Sequence, residues 1–172
     1  MQNYSEIAKA LYNRGYEPIP IAPNKKYPTA NGWTTMALPV EPWPKNHGIG
    51  LRTGKVTGID LDILDNGIVS FLLDSIEFDF ITRTGKPPKT LIPVICDKVT
   101  EKIVSDRYVD GNGKVNAIEL LSYGQQFVAY GIHPGTKRPY EWSSDLISHD
   151  IPTVKLSFIF YLFDVLYELT GK

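Results

Sequence analysis

The segment Gly58-Ile-Asp-Leu-Asp-Ile63 alternates apolar and acidic side chains, and it restricts the possible folds of this chain more than any other feature. Successive side chains of a β-strand point to opposite faces, so Asp60 and Asp62 share one face and the isoleucine and leucine side chains share the other. Neighbouring like charges are unfavourable unless a cation lies between them. The pattern predicts a half-buried strand with two carboxylates. Two interpretations stay open, a site for Mg²⁺ or Mn²⁺ and a solvated acidic edge strand.

Charge is distributed unevenly around this strand, although the 172-residue chain has a net charge of only -1. Residues 56–82 contain six acidic side chains and no Lys or Arg, whereas residues 1–55 carry a net charge of +4. The near-neutral total argues against a generally basic protein that coats nucleic acid. It is compatible with a local basic groove.

Cysteine content and hydropathy indicate the compartment. Cys96 is the single cysteine, so the chain forms no intrachain disulfide and has no cysteine-rich zinc site. No apolar stretch is long enough to cross a membrane, and no signal peptide is visible. We therefore expect a cytoplasmic protein with no membrane partner.

The remaining pattern predicts one α+β domain over residues 1–172. A first helix begins at Asn3 or Ser5 and ends at Gly15, and a second is capped by Asp65 or Asn66. A closing helix is predicted over about 152–170, and the proline-rich stretch up to His47 is predicted to be an ordered loop. Thr53-Gly54 is expected to join two strands, residues 78–84 to be extended and residues 84–89 to form a loop. The predicted strands cover residues 18–21, 48–51, 56–63, 90–96, 115–121, 126–130 and 139–142.

Glu119 is a lone carboxylate in the apolar strand Ala117-Ile-Glu-Leu-Leu121. Burying a carboxylate without a partner is costly. Glu119 is therefore expected either to form an ion pair with a Lys or Arg, or to be the third carboxylate of a metal site with Asp60 and Asp62.

Arg83, Lys86 and Lys89 form a basic stretch with no acidic residue up to position 96. The stretch is either a phosphate-binding loop or a solvated basic loop. His133 precedes a proline, which predicts an extended or turn conformation, and an isolated histidine of this kind is most often structural.

Several segments follow one another in an order known from one protein family. They are Asn24-Lys-Lys-Tyr-Pro28 with Gly32-Trp33, then Gly58 to Ile63, then Arg83 to Leu91, and finally the long block from Ile118 to Trp142. In this order they resemble the bifunctional primase-polymerase (Prim-Pol) domain of phage and plasmid replication proteins, in the archaeo-eukaryotic primase superfamily. The resemblance extends from about residue 5 to Trp142, and the final block is its most specific part.

The resemblance implies a fold and a set of residue roles. The fold is α+β, a mixed sheet of RRM-like topology plus an N-terminal αβ unit, with the active site in the cleft between them. Asp60 and Asp62 match the first metal-binding motif and Glu119 the acidic residue of the third, so these three are the implied catalytic and metal residues. The second motif usually contains a histidine, and this chain has none between positions 84 and 90. The segment is similar to a phage variant with Gly-x-x-Pro-Lys, which makes Lys89 the implied nucleotide contact. Arg83 supports Lys89, and His133 assists.

The implied activity is nucleotidyl transfer from a dNTP or NTP to a 3′-hydroxyl, by a DNA primase and DNA-directed DNA polymerase with two Mg²⁺ or Mn²⁺ ions. The implied partners are a DNA template and primer and a helicase domain or protein, in the cytoplasm of a prokaryotic host. Two alternatives stay open. One is a non-catalytic nucleotide- or DNA-binding module of a larger replication initiator or primase-helicase, and the other is an unrelated metal-dependent nuclease.

Overall fold

A computed structural model describes residues 3–171, and three helices and eleven strands form within that range. The helices are α1 (Tyr4–Asn13), α2 (Asn66–Asp74) and α3 (Leu156–Thr170). The strands are β1 (Pro18–Ile21), β2 (Gly48–Arg52), β3 (Thr57–Asp62), β4 (Arg83–Lys86), β5 (Lys89–Cys96), β6 (Ile103–Val104), β7 (Tyr108–Val109), β8 (Val115–Leu121), β9 (Gln126–Tyr130), β10 (Glu141–Trp142) and β11 (Thr153–Val154).

The strands form two sheets. Strands β1, β2 and β9 form a three-stranded sheet, on which α1 packs. An eight-stranded sheet has the order β10-β4-β5-β3-β8-β6, with β7 paired to β8 and β11 paired to β5. The β11–β5 pair is parallel and the other strand pairs are antiparallel. This confirms the α+β class and places β3 in the middle of the large sheet.

Within residues 3–171 the chain passes between the two sheets three times, at two short connections from β2 to β3 and from β8 to β9 and at a longer one from β9 to β10. The predicted strands on either side of Thr53-Gly54 are present, but they belong to different sheets and do not pair with each other. The Thr53 backbone N–H donates to the Gln125 carbonyl at 2.9 Å, and its hydroxyl donates to the Ser122 carbonyl. The two connections therefore lie side by side. The sequence predicted the turn, but nothing local specifies which strands pair.

Helix starts are fixed by side-chain caps. The Asn3 side chain accepts from the Glu6 N–H, and the Asp65 carboxylate accepts from the Ile68 N–H at 3.0 Å, as predicted. Helix α3 begins at Leu156, later than predicted, because residues 153–154 pair with β5 first. The Leu156 N–H is capped from a distance by the Asp97 carboxylate, at 2.7 Å.

One further expectation was wrong. Residues 84–89 are not a loop, because Arg83–Lys86 and Lys89–Cys96 are neighbouring strands of one hairpin. In the stretch expected to be extended, residues 78–82 lie outside the strands and β4 begins at Arg83. The predicted loop is confirmed at residues 22–47, which form neither helix nor strand.

The core lies on both sides of the large sheet. On one face Ile59, Leu61 and Ile63 are fully buried in a cluster with side chains of α2 and α3. On the other face Leu91 and Leu121 pack in a second cluster with side chains of α1, β2 and β9. The small sheet therefore covers part of this second face and forms a cleft with it. No helix within residues 3–171 is long and apolar enough to cross a membrane.

Candidate functional site

One face of the large sheet carries the charged side chains predicted for the site. Asp60 of β3 lies directly opposite Glu119 of β8 and, on its other side, opposite Leu91 of β5. Leu91 in turn lies opposite Arg83 of β4. Opposed residues of antiparallel strands project to the same face, so Arg83, Asp60 and Glu119 stand in one row across the sheet. Asp62 follows two positions later on the same face.

A cavity of about 320 Å³ lies over part of this row, in the cleft between the two sheets. Sites for small ligands typically have volumes of about 300–1,000 Å³. The cavity is lined by Asp60, Asp62, Arg83, Lys89 and His133, among others. The fold thus brings together five of the six predicted site residues, whereas Glu119 is not part of the lining.

The carboxylate of Asp60 is perturbed by its surroundings. Burial raises the pKa of Asp60 from 3.8 to about 6, because an ionised carboxylate is poorly solvated at the bottom of the cleft. Asp62 and Glu119 raise this pKa further by repulsion, while Arg83 and Lys89 lower it. Asp60 is therefore ionised only above about pH 6, and an additional cation beside it would stabilise the ionised form.

The other two carboxylates, those of Asp62 and Glu119, each form an ion pair with a lysine side chain. Lys89 forms an ion pair with Asp62 across the β3–β5 pair. Lys102 Nζ lies 2.6 Å from Glu119 Oε2, outside the cavity. The ion pair predicted as one alternative for Glu119 is thus present, with Lys102 as the partner.

The arrangement fits a divalent cation in part. Asp60 and Asp62 offer hard oxygen ligands of the kind that Mg²⁺ and Mn²⁺ prefer, next to each other on one face. Within residues 3–171, however, no three side chains of His, Cys, Asp or Glu are grouped so as to hold a metal ion. A third carboxylate would come from Glu119 only after separation from Lys102.

Arg83 is a partly buried cation that lacks a full set of partners among the described residues. Its guanidinium lies 4.9 Å from the centre of the Tyr140 ring and 5.9 Å from that of Phe127. Its Nε has no hydrogen-bond partner among the described residues. Burial lowers the pKa of Arg83, and Asp60 opposes that change. The guanidinium is therefore able to bind an anion that enters the cavity.

His133 has a defined tautomer. Its Nδ1 accepts from the backbone N–H groups of Gly135 and Thr136, at 3.1 Å each, so the ring proton is on Nε2. Burial lowers the pKa of His133, and so do the nearby charges of Lys26, Arg83 and Lys86. At neutral pH the imidazole is uncharged and can donate a hydrogen bond from Nε2.

Gly85 allows the aromatic wall to approach the hairpin. A Cβ at this position would lie 2.4 Å from Tyr140 Cε1 and 2.8 Å from His133 Cδ2. Such distances are far below van der Waals contact, so a larger residue would displace both rings.

Sequence reasoning missed Tyr140 as a site residue and did not assign Lys26, Lys86 or Gln126 to the cavity that they line. Tyr140 reaches Arg83 because the segment around β10 folds back onto β4. The only local signal was Gly85, whose missing side chain makes room for that ring.

Comparison of the chain with models of protein families found no match, and comparison with curated proteins found none either.

Proposed function

We propose that this chain is a nucleotidyltransferase, a DNA primase and DNA polymerase domain of the Prim-Pol type. The observation that carries the proposal is the charge arrangement of the cavity. Asp60 and Asp62 line the same cavity as Arg83, Lys86 and the neutral donor His133, and within residues 3–171 neither Arg83 nor Lys86 forms a salt bridge. A nucleoside triphosphate with its divalent cations supplies both a positive partner for the aspartates and a negative partner for the basic side chains.

The strand order supports the finer assignment of the fold. Strand β3 leads through α2 to the β4–β5 hairpin, and the sheet order β4-β5-β3-β8 places β3 in the centre. This is the order of an RRM-like sheet, in which a strand–helix–hairpin unit returns beside its own first strand. Here the second helix, α3, follows β8 instead of preceding it, and packs on the same face as α2.

In this proposal the acidic and the basic side chains of the cavity have different roles. Asp60 and Asp62 would hold the cations, and Glu119 would be a third ligand if it were separated from Lys102. When bound, divalent cations activate the 3′-hydroxyl and stabilise the pyrophosphate that leaves. Arg83, Lys89 and the Nε2–H of His133 bind the triphosphate by charge-assisted hydrogen bonds. Lys89, which is paired with Asp62, would be free to bind phosphate if a cation took its place beside that carboxylate.

The proposed substrates are a dNTP or NTP and a DNA template with its primer. We place the enzyme in the cytoplasm of a prokaryotic host, together with a helicase domain or protein. Template contacts would depend mainly on the phosphate backbone and on stacking with aromatic side chains.

A second function is favoured by one observation. The Lys102–Glu119 ion pair leaves the cavity without a third carboxylate. A cavity with two aspartates and several cations is sufficient to bind a nucleotide without transferring it. The chain would then be a nucleotide- or DNA-binding module of a larger replication initiator or primase-helicase.

Primer extension tests the proposal. A labelled primer on a template is incubated with dNTPs and Mn²⁺, and the wild type is compared with Asp60→Asn, Asp62→Asn and Asp74→Asn. Asp74 is an exposed residue of α2 outside the cavity, so its variant controls for the loss of one negative charge. We expect the two site variants to lose at least ~100-fold in extension rate and Asp74→Asn to match the wild type.

The other outcomes separate the alternatives. Nucleotide binding without extension by the wild type supports the binding module. Degradation of the template that depends on Asp60 supports a metal-dependent nuclease. Extension that survives both site substitutions rejects this cavity as the active site.

A further inference from the structure

The proline-rich segment of residues 22–47 contributes one basic residue to the cavity. Lys26 lines it together with Asp60 and Arg83. It reaches the cavity from the N-terminal unit, whereas Arg83, Lys86 and Lys89 reach it from the β4–β5 hairpin. Within residues 3–171 the Lys26 side chain forms no ion pair, in contrast to Lys89.

The backbone of Lys26 is held in place by a distant side chain. Gln126 Nε2 donates to the Lys26 carbonyl oxygen at 2.8 Å. Gln126 begins β9 and is followed by Phe127, whose ring lies beside the Arg83 guanidinium. A segment without helix or strand is thus fixed to the sheet at the residue that enters the cavity.

Gln126 makes this contact with its amide nitrogen, and its amide oxygen points elsewhere. Its Oε1 is buried and has no hydrogen-bond partner among the described residues. An unpaired buried acceptor destabilises the folded chain, because the group has lost its hydrogen bonds to water. The amide nonetheless keeps the orientation in which its nitrogen binds Lys26, as expected if the position of that residue matters.

Adjacent lysines of this segment differ in their surroundings. The Lys25 ammonium lies 5.8 Å from the centre of the Tyr27 ring, and Lys25 lines a different cavity. Lys26 is close enough to His133 to be the strongest of the charges that lower the pKa of this imidazole. Lys26, Arg83 and Lys86 thus lie near a neutral hydrogen-bond donor, and within residues 3–171 neither Lys26 nor Lys86 forms an ion pair.

Resting on the nucleotide site proposed above, we propose that Lys26 binds the polyphosphate of the nucleotide and that Gln126 is the residue that positions it. The segment of residues 22–47 is then one wall of the nucleotide site. The ligand recognised by this wall is a chain of phosphates, since Lys26 offers a point charge and no group that reads a base.

Isothermal titration calorimetry with Mg²⁺ and without primer tests this proposal, because no turnover occurs. The titrants are dGTP, inorganic triphosphate and deoxyguanosine. The proteins are the wild type, Lys26→Met, Lys25→Met, Gln126→Leu and the double variant Lys26→Met with Gln126→Leu. Lys25→Met is the matched control, because it removes the same charge one position away.

We expect Lys26→Met to weaken the binding of dGTP and of triphosphate about tenfold, the loss of one charge-assisted hydrogen bond. Lys25→Met should stay within about twofold of the wild type, and deoxyguanosine should not distinguish the variants. Gln126→Leu should weaken triphosphate binding less than Lys26→Met does. The double variant should bind as Lys26→Met does, because a positioning residue acts only through the residue that it positions.

The contrary outcomes are distinguishable. If Lys26→Met binds triphosphate as Lys25→Met does, the role of Lys26 is rejected while the nucleotide site stands. If Gln126→Leu weakens binding equally with and without Lys26, Gln126 does not act through Lys26. If the wild type binds neither dGTP nor triphosphate, the proposed function fails as well.

Discussion

Strand β3 presents Ile59 and Leu61 to helices α2 and α3 on one face, and Asp60 and Asp62 to the cavity on the other. Alternate residues of one short segment therefore meet opposite environments. The apolar face is fully buried and stabilises the fold by removing apolar surface from water. On the acidic face, the raised pKa of Asp60 indicates that its ionised form costs free energy in the folded chain. Ile59 and Leu61 thus stabilise the fold, whereas Asp60, which lies between them, lowers its stability and is a proposed cation ligand.

The largest expected effect is on the apolar face. Leu61→Ala should lower the free energy of unfolding by about 2–5 kcal/mol, because it removes a buried side chain and leaves a cavity. The measurement is urea denaturation followed by circular dichroism. Leu169→Ala is the matched control, since that leucine is 40% exposed. Equal losses in the two variants would show that the helix-covered face is not the stabilising one.

A substitution of Asp60, one residue earlier, is expected to change the free energy of unfolding in the opposite direction. Asp60→Asn should raise the free energy of unfolding at pH 7.5 by about 1–2 kcal/mol in metal-free protein, after allowance for solvent screening. The reason is that burial raises the pKa of Asp60 from 3.8 to about 6. As the pH rises through that window, the unfolded chain has already lost the proton that the folded chain retains, so ionisation of Asp60 removes stability.

Urea denaturation from pH 3.5 to 8 checks this prediction, with Asp74→Asn as the control for charge. The advantage of Asp60→Asn over the wild type should develop between about pH 4 and 6 and stay constant above. A variant less stable than the wild type at pH 7.5 would mean that attraction by Arg83 outweighs the cost of burial.

The smallest expected effect concerns Glu119, which shares the face of Asp60 but is bound to Lys102. If Glu119 is a metal ligand, Lys102→Met should raise the affinity for Mn²⁺ about two- to fivefold, the strength of a partly exposed ion pair. Titration followed by the electron paramagnetic resonance of free Mn²⁺ measures it. Lys98→Met, at an exposed position, is the control. Unchanged affinity would remove Glu119 from the set of metal ligands and favour the binding module.

Local chemistry made much of the fold predictable. The period of two in residues 58–63 gave the strand and its two faces, because side-chain alternation is a property of the strand itself. The caps at Asn3 and Asp65 were equally local, since each carboxyl or amide oxygen accepts from an N–H three residues later. Most of the strands and all three helices lie close to their predicted positions.

What escaped prediction depends on contacts between distant residues. The partners of β2 and β3 are set by packing across the core, and the start of α3 depends on Asp97. The sequence of the hairpin that carries Lys89 predicts a loop instead, because its glycine and prolines are typical of loops. The choice between Lys102 and a metal as the partner of Glu119 could not be made from the sequence, since both were compatible with it.

The paired connections at Thr53 and Gln125 have a mechanical consequence for the cleft. They join the two sheets side by side and are tied by a hydrogen bond of 2.9 Å. The β9–β10 connection is a further covalent link between the sheets, and Trp142 Nε1 of β10 donates to the Ala129 carbonyl of β9 at 2.9 Å. A ligand that enters between Lys26 and Lys89 would therefore meet a cleft whose walls are already joined by the chain and by a shared core.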